Sequence, residues 1–249
     1  GLKYFVLGAL SSCLLLLGFS FIYLSLGSTS FDVLVKLSES SASLELPLVG
    51  IILTLTAFLF KLGAFPCHMW LCDVYEGALV SVSAFFSIIP KTVIFCLLFK
   101  FFFLAFSGFS GFWSILCSIS GALSVCVSAI AALYQKKTKR LFAYSAIGHV
   151  GFILLAFSTG MVESVKVSLV YLFIYMAMNI GVFSMIMGFS SKGFLLKYLV
   201  NWSFLKKWNI VLAITFAFML FSVAGIPPFA GFYSKLGVLM VLLLQEQVA

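Results

Sequence analysis

The sequence predicts an all-α membrane protein, a polytopic bundle of about seven transmembrane helices, two of them broken. Of its 249 residues, 63% are hydrophobic and only 9% are charged, and the mean hydropathy of +1.24 lies far above that of soluble domains. Apolar runs of about 20 residues, the length that a helix needs to cross a bilayer, recur along the whole chain. Because these runs are continuous rather than alternating, they indicate helices and not the strands of a barrel.

The formal net charge of +8 raises the question of a nucleic-acid partner. The basic residues, however, stand in short loops or singly inside apolar runs, a distribution that is typical of membrane topology. No nucleic-acid partner is therefore expected. The six cysteines form no Cys-x-x-Cys pair and lie mostly in apolar runs, so they are interpreted as small hydrophobic residues and no metal site is predicted.

Seven apolar segments account for the predicted spans, and the polar residues between them set their limits. The segments are 2–26, 46–71, 78–106, 112–134, 141–159, 165–189 and 210–244. The Ser-rich stretch 27–45 is predicted to be a polar loop, and Asp73 to Gly77 an acidic turn that leads into the third span.

Two of the spans contain residues that interrupt a helix. Pro66 lies in the second span, and the seventh segment, too long for one straight helix, contains Gly225, Pro227 and Pro228. Proline lacks the backbone N–H and clashes with the preceding turn, so both helices are predicted to break there. A matched pair of breaks at the membrane midplane is typical of transporters built from internal repeats.

Four ionisable side chains fall well inside apolar runs, namely Lys61, Lys91, His149 and Lys235. A lysine at the bilayer centre costs roughly 2.5–3.5 kcal/mol, so three of them cost about 8–10 kcal/mol unless water or a counter-charge faces them. A row of such groups joined by water is a proton path, and this is their predicted role. For His149 an alternative stays open, that of a neutral, hydrogen-bonded core residue. Lys100 lies near a span end and is predicted to reach the membrane interface.

Tyr171, Tyr175 and Asn179 repeat at four-residue intervals in the sixth span and therefore share one face of its helix. The favoured interpretation is a seam between helices that is held by polar contacts. Every acidic residue of the chain lies in a predicted loop or near an end. A carboxylate that faces Lys61 is therefore expected from another chain or from a missing part of this one.

The basic residues also predict the orientation of the chain. With seven spans, Lys3 and the loops 136–140 and 192–207 lie on one face and hold nine lysines and arginines together. By the positive-inside rule this face is the cytoplasm or its organellar equivalent, the mitochondrial matrix.

Four stretches carry motifs that occur in the same order in one known family. They read GLKYFVLGALSS (1–12), FKLGAFPCHMWLCDVYEG (60–77), KRLFAYSAIGHVG (139–151) and AGIPPFAGFYSK (224–235). Together they resemble the antiporter-like membrane-arm subunits of respiratory complex I, and within these the subunit 2 family of NADH dehydrogenase. The resemblance extends over nearly the whole chain.

The resemblance implies a proton-translocating module of two inverted helix repeats within one transmembrane domain, 1–249. The remainder of the first repeat would occupy about 1–106, and part of the second about 112–244. The resemblance further implies a role for each buried group of the proton relay. Lys61 matches the lysine of the first broken helix, Lys91 the connecting lysine of the next helix, His149 the central histidine and Lys235 the lysine beside the second break.

The resemblance also implies what surrounds the chain. No cofactor is expected in it, because flavin, iron–sulfur clusters and quinone belong to other subunits in this family. The chain starts where relatives have already passed several helices and stops after the second break, so a split or shortened subunit in the mitochondrial inner membrane is expected. Its expected partners are other membrane-arm subunits, membrane lipids, and a polypeptide that supplies the missing helices and the carboxylate for Lys61.

Two other functions stay open. The chain could be a structural membrane-arm component whose proton route was lost, or a component of a multi-subunit cation/proton antiporter. A structural role predicts that no carboxylate of any chain lies within about 6 Å of Lys61, whereas a pumping role predicts one.

Overall fold

The computed structural model describes residues 1–40, 45–191, 197–205 and 209–248, and within these ranges the chain is helical. Its α-helices are α1 (Leu2–Leu26), α2 (Phe31–Ser40), α3 (Glu45–Leu62), α4 (Met69–Gly77), α5 (Val80–Leu98), α6 (Ser110–Leu133), α7 (Thr138–Ser158), α8 (Val162–Ser191), α9 (Ile210–Ala224) and α10 (Ala230–Val248). A π-helical segment, Phe99–Ala105, prolongs α5, and short 3₁₀ turns cover Ser107–Phe109 and Leu199–Phe204.

The helices confirm the predicted all-α membrane bundle. Five of them are long and apolar enough to cross a bilayer: Leu2–Leu26, Val80–Ala105, Ser107–Leu133, Thr138–Ser158 and Val162–Phe189. The other two predicted spans, 46–71 and 210–244, are each divided into shorter helices, so these are the two broken helices.

Both interruptions follow the same local design. The first helix ends at Leu62, where Gly63 has φ 71°, and Pro66 follows before α4 begins. The second ends at Ala224, where Gly225 has φ 83° and its N–H donates to the carbonyls of Phe221 and Ser222. A left-handed residue after the last turn satisfies otherwise unpaired carbonyls, and glycine adopts this conformation without steric cost.

Two regions that the sequence predicts as loops contain helices. The predicted acidic turn from Asp73 to Gly77 lies within α4, because Leu71, Cys72 and Tyr75 share one face that is buried against α7. The predicted polar loop 27–45 contains α2, which packs against the π-helical segment and buries Leu34. In both cases tertiary burial of an apolar face outweighs a polar local composition.

Small residues let two helix pairs approach closely, α1 with α3 and α6 with α7. A Cβ atom built on Gly18 would lie 2.6 Å from Cγ2 of Thr54, and one on Gly121 would lie 3.0 Å from the carbonyl oxygen of Gly151. Such crossings are how membrane helices gain packing energy, since lipid provides no hydrophobic force between them. The α6–α7 crossing fixes the position of α7, which carries His149.

The two basic loops lie side by side. The N–H of Thr138 donates to the carbonyl of Lys197 at 3.1 Å, and the N–H of Leu199 donates to the carbonyl of Lys136 at 3.1 Å. This pairing puts the 136–140 loop and the described part of the 192–207 loop at the same end of the bundle. Lys192, Lys206 and Lys207, which also belong to the predicted basic face, lie outside the described residues.

Candidate functional site

Lys91 is buried in the centre of the bundle with 2% of its surface exposed. It follows Pro90 on α5, and its Nζ donates a long hydrogen bond of 3.4 Å to the carbonyl of Ala146 on α7. The same nitrogen lies 5.8 Å from the ring centroid of Tyr175 on α8. A carbonyl and an aromatic face are weak partners for a buried ammonium group, so these two contacts do not neutralise the charge of Lys91.

His149 is buried one turn further along α7, with 6% of its surface exposed. Its Nδ1 is 2.8 Å from the hydroxyl of Tyr171, and its ring centroid is 5.3 Å from that of Tyr175. Either atom of the Tyr171 contact could donate, depending on the imidazole tautomer. The imidazole therefore has one hydrogen-bonded nitrogen in a site closed to bulk solvent.

Lys235 lies in the second turn of α10 and reaches back to the end of α9. Its Nζ is 2.7 Å from the carbonyl oxygen of Ala224, 3.5 Å from that of Val223 and 5.6 Å from the ring centroid of Phe152. Carbonyls at a helix C-terminus carry partial negative charge and attract a cation. Gly225 keeps the approach open, because a Cβ there would lie 2.9 Å from the Lys235 Cδ.

Lys61, in the last turn of α3, is half-buried and lies between two cavities. One, of about 650 Å³, is also lined by Lys91, and the other, of about 460 Å³, is mostly apolar. Within the described ranges no carboxylate forms an ion pair with Lys61. The partner expected for this lysine is therefore not among the carboxylates that the structure describes.

The structure brings the predicted site residues into one row. Lys91 contacts Tyr175, Tyr175 contacts His149, and His149 contacts Tyr171. The Tyr171 ring then stacks on Phe152 at 6.3 Å, and Phe152 faces Lys235. Lys61 joins this row at its other end through the cavity that it shares with Lys91.

The sequence predicts that two members of this row, Tyr171 and Tyr175, lie at a seam between helices, and it does not place them in the site. The seam exists, since the Tyr175 hydroxyl donates to the carbonyl of Ser87 on α5 at 3.0 Å. Asn179 instead donates to the carbonyl of Tyr175 on its own helix. The four-residue spacing shows that the tyrosines share one face of α8, but it does not show that α7, which carries His149, lies against that face.

An ionic cluster joins α1, α4 and the loop that begins α7 at one end of the bundle. Asp73 is 2.6 Å from Nζ of Lys3 and 2.8 Å from Nη2 of Arg140, and Glu76 pairs with Lys137 and, at 2.6 Å, with Nε of Arg140. The hydrogen bond from Lys3 lowers the pKa of Asp73, and the hydrogen bond from Lys137 lowers the pKa of Glu76. The cluster holds α4 against the start of α7.

The lowered pKa values predict how this end of the bundle responds to acid. Because both carboxyls have a lower pKa in the folded chain, their pairs stabilise it above the ordinary pKa near 4 and are lost as pH falls further. We expect intrinsic-rate-corrected amide exchange in α4 to stay constant from about pH 7 to 5. Below about pH 4 it should rise roughly two- to fivefold, since partly exposed pairs contribute about 0–1 kcal/mol each.

Substitution separates this effect from general acid damage. The double variant Asp73→Asn, Glu76→Gln should show the faster exchange already at pH 7 and no further acid response in α4. Glu163→Gln, at an exposed position early in α8 and in none of the ion pairs described, is the matched control. A double variant that keeps the parental acid response would show that these pairs do not hold α4.

Possible metal ligands are scattered in the part of the chain that the structure describes. Within those residues no group of three or more His, Cys, Asp or Glu side chains is close enough to hold a metal ion. The six cysteines are all free there.

A family model described as NADH:quinone oxidoreductase/Mrp antiporter, TM, matches residues 1–249. Among curated proteins, NADH-quinone oxidoreductase subunit N of Rhodospirillum rubrum is 40% identical over 241 residues, which cover 96% of this chain and 50% of that protein. NADH-ubiquinone oxidoreductase chain 2 of Marchantia polymorpha is 42% identical over 241 residues, covering 94% and 48%. The chain thus spans about half the length of the curated relatives that it matches.

Solved structures share the fold. A chain of an archaeal membrane-bound sulfane sulfur reductase superposes with a TM-score of 0.87 at 26% identity, covering 96% of this chain and 49% of that one. A chain of respiratory complex I from Thermus thermophilus gives a TM-score of 0.75 at 28% identity, covering 99% and 56%. A chain of the Mrp complex from Dietzia sp. gives 0.83 at 22% identity, covering 99% and 45%, which shows the fold alone. The match along its whole length shows that this chain belongs to the transmembrane family of NADH:quinone oxidoreductase and Mrp antiporter subunits.

Proposed function

We propose that this chain is part of a proton-translocating membrane-arm subunit of NADH:quinone oxidoreductase. Protons move through it along the row Lys61, Lys91, His149 and Lys235, driven by redox chemistry in other subunits. The chain itself performs no redox reaction in this proposal. Flavin, iron–sulfur clusters and quinone are held by other subunits of the complex.

One observation carries the proposal, namely the chain of contacts from Lys91 to Lys235 in the centre of the bundle. The Phe152 ring in this chain cannot carry a proton, so the proposal places water beside it for the step from Tyr171 to Lys235. Burying one ionisable group among apolar helices is costly, so a row of several such groups is expected where charge has to move. Two like charges in a medium of low dielectric repel strongly, so a proton that arrives on one group favours departure from its neighbour. Tyrosine hydroxyls donate and accept hydrogen bonds, and they bridge such steps without becoming charged.

The proposal assigns the carboxylate opposite Lys61 to another polypeptide. The chain spans about half the length of its curated relatives, and the two cavities at Lys61 are both lined by residues of α1, α3 and α5. We place there a helix of a neighbouring chain, together with other membrane-arm subunits and lipids. A carboxylate on that helix balances the Lys61 charge when a proton is present.

The proposed location is the mitochondrial inner membrane, as expected for chain 2 relatives of plants. The basic loops 136–140 and 192–207 face the matrix in this orientation, in accord with the positive-inside rule. Their close pairing through the hydrogen bonds at Thr138 and Leu199 supports a common side for both loops.

Replacement of His149 tests the proposal at the centre of the row. His149→Phe keeps a ring of similar size but loses both nitrogens. We therefore expect proton pumping by the assembled complex to fall about tenfold or more, because loss of a proton-transfer group typically costs about 10²–10⁴-fold in rate. His149→Gln can still hydrogen-bond to Tyr171 but cannot carry a proton, so pumping should be equally low. The measurement is acidification of vesicles that contain the reconstituted complex, at matched assembly and matched NADH supply.

The two variants also decide between the alternatives. If His149 is only a hydrogen-bonded core residue, His149→Gln should pump like the parent, and the chain would act as a structural component. If the chain belongs to a cation/proton antiporter, acidification should depend on an imposed cation gradient and not on NADH. Either result would contradict the proposed function.

A further inference from the structure

The indole of Trp70, in the first turn of α4, reaches back across the first helix break to the end of α3. Its Nε1–H donates to the backbone carbonyl of Phe60 at 3.1 Å. The rings of the two residues are nearly parallel, with 7° between their planes and 6.4 Å between their centroids. Trp70 therefore holds the last turn of α3 both by a hydrogen bond and by a ring contact.

This hydrogen bond acts on the peptide unit that leads into Lys61. The atoms of a peptide unit lie close to one plane, so the Phe60 oxygen and the nitrogen and Cα of Lys61 move together. The Phe60 carbonyl also accepts a hydrogen bond from the N–H of Gly63 at 3.1 Å. Two donors at one carbonyl oxygen occupy both of its lone pairs and fix the orientation of the peptide plane. The direction in which the Lys61 side chain leaves the backbone is therefore set in part by Trp70.

The helix that carries this indole is itself anchored to α7. Leu71 packs in one apolar cluster with Ala143 and Ile147 of α7. Further along α4, the ionic cluster ties the helix to the start of α7. Residues 63–68, which connect α3 to α4, form no regular helix. The indole thus provides a side-chain link across this connection, between the anchored helix and the end of α3.

Trp70 also forms part of the wall beside which Lys61 lies. Trp70, Phe60 and Lys61 all line the cavity of about 650 Å³ that reaches Lys91. The Trp70 ring meets the ring of Tyr4 on α1, with 5.9 Å between their centroids. Lys61 joins the row through this cavity, so transfer to Lys91 depends on how Lys61 is placed there. A misplacement of about 1 Å can cost about 10²-fold in rate.

We propose that Trp70 is a positioning residue for Lys61, which it keeps at the shared cavity by clamping the last turn of α3 to α4. Trp70 itself carries no proton, and its effect runs through the peptide plane of Lys61. Because α4 is anchored to α7, the clamp also makes the position of Lys61 depend on the helix that carries His149. This inference rests on the proposed function.

Trp70→Phe tests the inference, because it keeps an aromatic ring beside Phe60 but removes the N–H donor. We expect pumping per assembled complex to fall about three- to tenfold, the range that corresponds to the loss of one hydrogen bond. Amide exchange at Gly63, which shares the Phe60 carbonyl, should rise by a similar factor because the last turn of α3 opens more often. Pumping is measured in reconstituted vesicles at matched NADH supply, and hydrogen–deuterium exchange in the assembled complex.

Trp113→Phe is the matched control, because it removes the same kind of hydrogen bond in α6, which contributes no residue to the row. The Trp113 indole donates to the carbonyl of Phe106 at 3.0 Å, and its ring stacks on that of Phe157 at 4.8 Å. This variant should lower the yield or the thermal midpoint of the complex. Its pumping per assembled complex and its exchange at Gly63 should match those of the parent.

The outcomes separate the clamp from the proposed function. A merely structural role predicts that Trp70→Phe, like Trp113→Phe, loses stability and keeps parental pumping per assembled complex. If this result is found while His149→Phe lowers pumping, the positioning role of Trp70 is overturned and the proposed function stands. If neither Trp70→Phe nor His149→Phe lowers pumping, both are overturned.

Phe60→Leu repeats the test from the other side of the contact and decides it should Trp70→Phe yield too little complex. It removes the ring that stacks on Trp70 but keeps the backbone carbonyl. Pumping per assembled complex should fall about twofold or more, in line with the loss of one aromatic pair. Parental pumping and parental exchange at Gly63 in this variant would contradict the clamp.

Discussion

Lys91→Met should reduce proton pumping by the assembled complex about a hundredfold or more, a loss in the range found when an acid–base group is removed. Lys91 both lines the cavity beside Lys61 and contacts Tyr175, so it connects the two parts of the proposed path. Methionine has a similar length but cannot carry a proton. Without Lys91 the charge has no group to occupy between the cavity and His149.

Assembly should survive this substitution, which makes the loss interpretable. Lys91 is 2% exposed and forms only a long hydrogen bond of 3.4 Å to the Ala146 carbonyl. Replacing a buried charge by an apolar side chain of similar volume is often neutral or stabilising. The yield of assembled complex and its thermal midpoint should therefore match or exceed those of the parent.

Lys100→Met provides the control on the same span. Lys100 is exposed in the π-helical segment, with its Nζ 5.3 Å from the ring centroid of Phe31 and outside the row. The Lys100→Met substitution also removes one positive charge, but the number of protons moved per NADH should stay unchanged. If the Lys91→Met complex pumps protons as well as the parent does, Lys91 does not lie on the path and the chain has a structural role.

The breaks and the buried charges were predictable because each is a local property of the sequence. Pro66 and the cluster at Gly225, Pro227 and Pro228 each interrupt a helix as predicted, whereas Pro90 lies inside the continuous helix α5. The distance of Lys91 from the ends of its span follows from the rise per residue. Neither inference requires knowledge of the neighbouring helices.

The remainder depends on contacts between residues distant in sequence. The Lys91–Ala146 hydrogen bond joins residues 55 apart, and the contacts of His149 with Tyr171 depend on how α7 and α8 are rotated. A four-residue spacing shows that tyrosines share a face, but not what that face meets. The acidic stretch at Asp73 was predicted to be a turn from its local composition, which does not reveal that Lys3 and Arg140 of other helices pair with it.

The same dependence on α7 makes the α6–α7 crossing a sensitive structural feature of the described bundle. A Cβ atom on Gly151 would lie 2.8 Å from the carbonyl oxygen of Gly121 and 2.8 Å from Cγ2 of Val125. The first of these is backbone, which cannot turn aside as a flexible side chain does. Any side chain at Gly151 therefore forces the two helices apart.

Gly151→Ala should destabilise the assembled complex by about 1–3 kcal/mol, the usual cost of overpacking a well-packed core. This corresponds to a roughly five- to 150-fold change in the folding equilibrium. Gly111→Ala, on α6 where a Cβ meets no atom within 4 Å, is the matched control and should leave yield and thermal midpoint near those of the parent. Equal yields and midpoints for the two variants would contradict the close crossing.

Proton pumping by the Gly151→Ala complex that does assemble gives a second result, because α7 positions two parts of the row. It holds His149 against Tyr171 and presents the Ala146 carbonyl to Lys91. A shift of α7 by a few tenths of an ångström lengthens both contacts, and hydrogen bonds weaken steeply with poor geometry. We therefore expect fewer protons per NADH from the Gly151→Ala complex than from the Gly111→Ala complex, even after correction for the amount assembled.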